Sequence, residues 1–399
     1  MLTLLLVVMT EASAHGDSFE LVRLTARPDA PAELWGMVEG WGLVHSEDGG
    51  AAWSWLCEEA VGSTALYDVL AWEAGSALVA TAEGLSLVDE SCTGQSVASL
   101  PQGFVLSLAR YGETALVGLI GTESGGVYRC DNTGCTATSL VGAGVFPKSL
   151  VVDGNTAWAT VVHTGEDEGL AAELWRSDDG ADFVVAYAWP DGDVDPRVIH
   201  ADGERVYAWL RPRQDDREPA FARSTDGGGS FSTTFETGYY TDPAPGVLVR
   251  DGGETVLLGS WFGARTWRST DAGLSFEEVS LDTPALRCGL DLPDRSLICA
   301  DHLVDGFDVA ATTDGMEFSA ELCLEEVGPA DCVAATCEPY VDAWRGAAAL
   351  GGGKCDPAAD TGTPDAPPPC GCASSEGGLP LLALGAAVLL GARRGPWRG

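Results

Sequence analysis

The chain has 399 residues, 45% of them hydrophobic, so it is long enough for a large core. Its 22 Lys and Arg against 60 Asp and Glu leave a formal charge of −38, which argues against nucleic acid and disfavours an anionic membrane surface. Cations, neutral glycans and basic partners stay open, while 13 Trp and long Val/Leu runs argue against a disordered acidic chain.

The opening stretch, "MLTLLLVVMTEASAHG", reads as an export signal over residues 1–14. An apolar run from Leu2 to Met9 precedes the small-x-small site Ala12-Ser13-Ala14, which predicts cleavage after Ala14. No basic region precedes that run, and a first buried strand is the competing reading. Cleavage would make His15 the new terminus. A terminal His can chelate copper through amine and imidazole, although no partner ligands are identifiable.

Beyond the signal, 51 Gly and few helix-period stretches predict short strands joined by tight turns. One stretch recurs: "HSEDGGAAW" at His45, "RSDDGADF" at Arg176, "RSTDGGGSF" at Arg223, "RSTDAGLSF" at Arg268 and "ATTDGMEF" at Ala311. Aligned on Asp48, Asp179, Asp226, Asp271 and Asp314, the later spacings are 47, 45 and 43 residues and the first is 131. That first gap holds two degenerate copies, "SLVDESCTG" with Asp89 and "YRCDNTGC" with Asp131, which makes seven units. Upstream of the copies lie β-rich stretches such as "TAWATVVHT", "RVYAWLRP" and "TVLLGSWFG". Several short strands in a period of about 45 residues are the pattern of a propeller blade. Within each copy, Ser or Thr and Asp can bond their own backbone, Gly permits positive φ, and a closing aromatic (Trp53, Phe183, Phe231, Phe276 or Phe318) can pin the turn.

The pattern S/T-x-D-x-G-x-x-W/F resembles the Asp-box, or BNR, repeat of sialidase-like propellers, sortilin-type receptors and photosystem-assembly-factor-like proteins. The resemblance covers roughly residues 18–320 and implies an all-β, seven-bladed β-propeller over 15–320. It also implies that the seven aspartates are structural corners away from the central pocket rather than catalytic carboxylates. Two copies are one residue short, and a Cys130–Cys135 bridge is expected to replace the turn's hydrogen bonds in the third blade.

Twelve cysteines fit an exported, oxidising setting. Cys130 and Cys135 are placed for a tight bridge, Cys288 and Cys299 for one across a hairpin, and Cys57 and Cys92 for one between neighbouring units. Cys323, Cys332, Cys337 and Cys355 form a separate group with three connectivities open. With no matched Cys-x-x-Cys pairs, zinc is not expected. Residues 321–355 carry helix spacing at Val333, Cys337, Val341 and Trp344, so we expect a small disulfide-rich helical appendage that packs against the propeller or caps it.

A Pro-rich linker follows over 356–369, then a tail over 370–399. The tail has "CGC" at Cys370–Cys372, an uncharged run from Gly377 to Ala392 and Arg393-Arg394. Sixteen residues span roughly 24 Å as a helix, short for a stable crossing. A plain membrane anchor with its basic end inside is one reading. The tail also resembles the MYXO-CTERM sorting tag of myxobacterial exported proteins. That resemblance implies processing near Cys370 and Cys372 by a sorting protease, retention at the cell surface, and membrane association through the tail only.

The sequence has no G-x-S-x-G elbow, H-E-x-x-H pair, Walker loop or dinucleotide fingerprint. The five histidines (His15, His45, His163, His200 and His302) stand apart from one another. A sialidase would need three Arg, a Tyr–Glu nucleophile pair and an acid Asp. Only Arg27 in "TARPDAP" and Tyr239 or Tyr240 in "TGYYTDP" come near that pattern. "DGDVDP" alternates Asp191, Asp193 and Asp195 but fails the EF-hand, with Pro196 and Asp202 where Gly and Glu belong. A looser calcium site competes there with a solvated acidic turn, and no other cofactor is expected. "GEDEG" at Gly165 and "RPRQDDREP" at Arg211 read as loops that enlarge one face of the disc. The expected function is therefore noncatalytic recognition of a glycan or protein at the cell surface. The rivals are a sialidase-like hydrolase and an assembly factor for another exported protein.

Overall fold

A computed structural model of the chain describes residues 20–348, apart from 64, 90, 122, 166–168, 191–193, 214–217, 238–245, 260–264, 280–283 and 302–304. Seven antiparallel sheets follow one another along the chain, each a meander of four consecutive strands. They are blade 1 (21–56), blade 2 (66–96), blade 3 (104–142), blade 4 (145–189), blade 5 (194–236), blade 6 (247–278) and blade 7 (288–322). The protein is a seven-bladed all-β propeller. The signal, linker and tail expected over 1–14 and 356–399 lie outside the described residues, as do Tyr239, Tyr240, Asp191, Asp193, His15, His302, Cys355, Cys370 and Cys372.

The sequence pattern of each strand follows from its depth in the disc. First strands of adjacent blades meet around the axis, as Leu21–Arg27 does with both Leu66–Ala71 and Cys288–Asp291. Second strands are covered on both faces by neighbouring blades. Ala77–Thr81 ("ALVAT") and Thr255–Gly259 ("TVLLG") are accordingly largely apolar, and buried at every position. Outer strands face solvent and turn polar, as in Ser232–Glu236 ("STTFE").

Propellers commonly close their ring by mixing strands from both chain ends in one blade. Here all seven blades are built from sequential strands, and closure falls to the residues after blade 7. Gly328–Pro329 pairs in parallel with Ser54–Leu56, adding a fifth strand to blade 1. Two short helices follow, α2 (Ala334–Cys337) and α3 (Val341–Ala348), after α1 (Glu58–Val61) in the link between blades 1 and 2. Pro339 lies between α2 and α3, where the chain tightens into a 3-10 turn, as a residue without an N–H would favour. Trp344 of α3 is 1% exposed, stacks on Trp55 at 4.4 Å and donates its indole N–H to Leu324 O at 3.0 Å.

Two disulfides fix this strap to the start of the ring, Cys57–Cys337 and Cys92–Cys332. The expected Cys57–Cys92 bridge is therefore corrected, and so is the separate Cys323/332/337/355 group. Both blade cysteines lie where the strap crosses blades 1 and 2, so each meets a strap cysteine instead of the other. Cross-linking residues 280 apart in sequence restricts the unfolded chain by on the order of 5 kcal/mol on the chain-entropy view. Once that link is made, the second closes a ring of only about 40 residues, worth about 4 kcal/mol.

Candidate functional site

The seven repeat aspartates lie at or just beyond the ends of the third strands of their blades, on one edge of the disc. In blade 5 the Ser224 hydroxyl donates to Asp226 Oδ1 at 2.7 Å and accepts the Gly228 N–H at 2.9 Å. Asp226 in turn accepts the Ser230 N–H at 2.9 Å. Blades 1 and 6 repeat this with Ser46–Asp48 and Ser269–Asp271. In the two shortened copies Asp179 accepts from Ala181 and Asp182, and Asp314 from Met316 and Glu317, two and three residues on instead of four. The Ser230 hydroxyl, with Ser224 and the Ser230 N–H, holds the Asp226 carboxyl down at about 2, and Ser275 does the same for Asp271, also about 2. The third blade departs from expectation. Cys130 and Cys135 are joined as cross-strand partners, yet Asp131 still accepts the Thr133 and Gly134 N–H groups, so the bridge supplements the turn and does not replace it.

Among the described residues, six of the seven turns, all but that of blade 2, carry a hydrogen bond to the preceding blade. Trp72 donates to Asn132 Oδ1 at 2.7 Å, Tyr111 to Asp178 O at 3.4 Å, Trp158 to Gly227 O at 3.1 Å and Tyr207 to Ala272 O at 3.1 Å. Arg250 donates to Thr313 O at 2.8 Å, and Arg295 to Gly49 O, which joins blade 7 to blade 1. The turn glycines make room for these approaches: a Cβ on Gly273, at φ +77°, would stand 2.8 Å from the Phe221 ring. Sequence reasoning found the turns but not these donors, which lie in the preceding repeat.

Several charged groups of the innermost strands pair with neighbouring blades. Arg23 Nε lies 2.8 Å from Asp68, whose carboxylate also accepts the Leu108 N–H from blade 3 at 2.8 Å. Lys148 Nζ of blade 4 lies 3.6 Å from Asp195 of blade 5, the one described member of the acidic trio. Arg287 pairs with Asp301 and with Glu20. Arg27, the residue nearest a sialidase arginine, is held by Asp29 and Glu33 at the opposite end of its strand from Leu21. Among the histidines, His45 stacks on Trp35 at 4.1 Å and His200 on Tyr207 at 5.7 Å, and burial lowers both pKa values, leaving neutral rings. His163 Nε2 lies 3.0 Å from Glu173. Among the described residues no cluster of three His, Cys, Asp or Glu could hold a metal ion.

The opposite edge of the disc carries an open cleft between blades 4 and 5. About 290 Å³ is lined by Tyr187, Trp189, Phe231 and Leu210, with Glu218 and Glu236 among its walls. Trp189 ends the outer strand of blade 4, Val194 begins blade 5, and Pro212, Ala220 and Glu236 terminate further strands there. The repeat turns lie at the other strand ends, and Phe231, the closing aromatic of the blade 5 turn, also lines the cleft. Trp189 and Tyr187 meet edge to face at 5.2 Å, and Phe231 closes the trio at 5.3 and 5.4 Å. The Trp189 ring is 8% exposed, and its indole N–H has no acceptor among the described residues. Both glutamates are exposed. The sequence signal was present in "VVAYAW", an outer strand without a charge, but only the fold brings it against blade 5. A larger hollow of about 570 Å³, lined by Trp35, His45 and Trp53, lies under the strap and is walled by Cys92 and Cys332.

No family model matches the sequence, and no curated protein matches it. Solved structures do match in fold. Hydrazine synthase of Kuenenia stuttgartiensis aligns over 77% of this chain and 99% of its own, at 13% identity and a TM-score of 0.54. The extracellular domain of a one-component system from B. thetaiotaomicron aligns over 74% of this chain at 11% identity and a TM-score of 0.52. The GH74 xyloglucanase from Xanthomonas campestris aligns over 77% at 14% identity and a TM-score of 0.51. This chain spans 39% and 53% of the last two, and at such identities the likeness establishes the propeller alone.

Proposed function

We propose that the protein is a noncatalytic recognition module, exported and held at the cell surface through its C-terminal tail, which binds a glycan or protein ligand on the disc edge opposite the repeat turns. The observation that carries this reading is the division of labour between the two edges. Six of the seven turns on one edge make inter-blade hydrogen bonds, and inner-strand charges pair across blades as Arg23–Asp68 and Lys148–Asp195. The other edge bears strand-connecting segments of unequal length and an open aromatic–acidic cleft. Propeller neighbours include both an extracellular domain and a xyloglucanase, so the frame by itself favours neither recognition nor hydrolysis.

The test is to incubate the purified protein with arrayed glycans, extracted surface polysaccharide and envelope proteins, and to assay the same samples for released sugar. Saturable binding without release is expected. Sugar release would replace this reading with a glycoside hydrolase, and stable co-purification with a single exported client would favour the assembly-factor reading.

A further inference from the structure

We propose that the outer strand of blade 4 and the adjoining cleft form a docking site for an extended, basic segment of a partner polypeptide, which adds to the blade as a fifth strand. The proposal deepens the recognition reading and rests on it.

Four observations converge on this edge. First, outer strands present unpaired N–H and C=O groups, and proteins protect such edges with charge, cover or brevity. Blade 1 covers its outer strand with Gly328–Pro329, and blade 6 keeps only Glu277–Glu278. Blades 5 and 7 carry Glu236 and Glu321 on theirs. Blade 3's uncharged outer strand, Gly134–Gly142, gives its Ser139 N–H to Ala181 O. Blade 4 has none of these devices: Val184–Trp189 is six residues long and uncharged, with Val184 and Val185 exposed at 64% and 46%. Second, blade 1 demonstrates that an outer strand of this frame accepts a fifth strand. Third, the strand runs directly into the cleft, since Tyr187 and Trp189 belong to both. Fourth, the aromatic wall of the cleft holds a donor without an acceptor among the described residues, the nine-tenths-buried Trp189 indole N–H, a condition shared by Trp35 and Trp209 elsewhere.

Charge selects the occupant. Glu218 and Glu236 flank an apolar aromatic wall in a chain of formal charge −38. A Lys or Arg side chain matches this arrangement, with its stem against Tyr187 and Phe231 and its cation toward the carboxylates. An acidic segment would meet like charge, and a purely apolar one would leave both glutamates without a partner.

The test uses the intact protein and a capped alternating peptide, acetyl-Lys-Val-Lys-Val-Lys-Val-amide, followed by calorimetry at physiological salt. Two control peptides replace Lys by Glu or carry N-methyl groups on alternate residues. Two variants, Glu218→Gln/Glu236→Gln and Val184→Lys, alter exposed side chains, and their melting curves report that they fold. We expect saturable one-to-one binding of the Lys peptide, weakened at least about tenfold by each variant, and no binding of either control. Equal binding to the wild type and the double variant would reduce the effect to diffuse attraction by the net charge and overturn the proposal. So would equal binding of the N-methylated peptide, or no binding at all. If the wild type ignores every peptide but still binds glycans saturably, this inference fails and the recognition reading stands. If it binds neither these peptides nor glycans nor envelope proteins, both fail.

Discussion

Ser224 is 1% exposed and serves two partners at once, the Asp226 carboxylate and the Gly228 N–H. Removing its hydroxyl strands both, and a buried donor left unmatched costs about 1–3 kcal/mol. Ser224→Ala should therefore lower the denaturation free energy by about 1–2 kcal/mol in guanidinium melts, with ligand binding unchanged. Titration makes a second statement at this scale. Asp226 and Asp271 have folded pKa values of about 2, below their unfolded values, so they contribute stability above about pH 4 that is lost as pH falls through 2. Glu58 behaves oppositely. It is 2% exposed, and burial, with Glu59 beside it, raises its pKa to about 7. The folded state then binds the proton more tightly than the unfolded one between about pH 4.5 and 7, so stability declines as pH rises through that window. Calorimetric Tm should peak between the two windows, and Glu58→Gln should flatten the limb from pH 5 to 7; an unchanged slope in that variant would refute the assignment. The turns themselves were legible in the sequence because Ser, Asp and Gly each act within a few residues of chain. Their inter-blade donors were not, because Trp158 and Gly227 are 69 positions apart and nothing in either repeat names the other.

The strap shows the same limit among elements. Helix spacing at Val333, Cys337, Val341 and Trp344 foretold a helical appendage, and three of those four are buried. The parallel strand at Gly328–Pro329 had no sequence signal, being two residues long and dependent on an edge more than 270 positions away. The cysteine partners were equally hidden, since pairing follows from where the strap lands and not from spacing. Cys57 and Cys337 are 1% and 0% exposed, whereas Cys332 is exposed. Under graded thiol reductant, alkylation and peptide mass analysis should find Cys92–Cys332 opened first and Cys57–Cys337 last; the reverse order would mean that the buried bridge is the accessible one. Trp344→Ala should cost about 3–5 kcal/mol, because it empties the stack on Trp55 and leaves the Leu324 carbonyl without its indole donor. In that variant, hydrogen exchange should rise first at Leu21–Arg27 and Cys288–Asp291, where blades 1 and 7 meet.

At the scale of the whole molecule, the propeller was legible because it repeats. Seven aspartates in a period near 45 residues fix blade count and strand order without any long-range contact being known. The cleft was not legible, because it is made where blades 4 and 5 come together and is written in neither alone. The net charge of −38 adds a long-range preference for cationic partners that salt should screen. One edge of the disc holds the ring, and we propose that the other binds. Hydrogen exchange of the intact protein with and without saturating envelope extract tests that division most directly. Protection confined to the strand ends opposite the repeat turns, centred on Tyr187–Trp189 and Glu218–Ala220 and with no extract component consumed, is the predicted result. Protection centred on the turns around Asp48, Asp226 and Asp271, or steady consumption of a glycan, would contradict it.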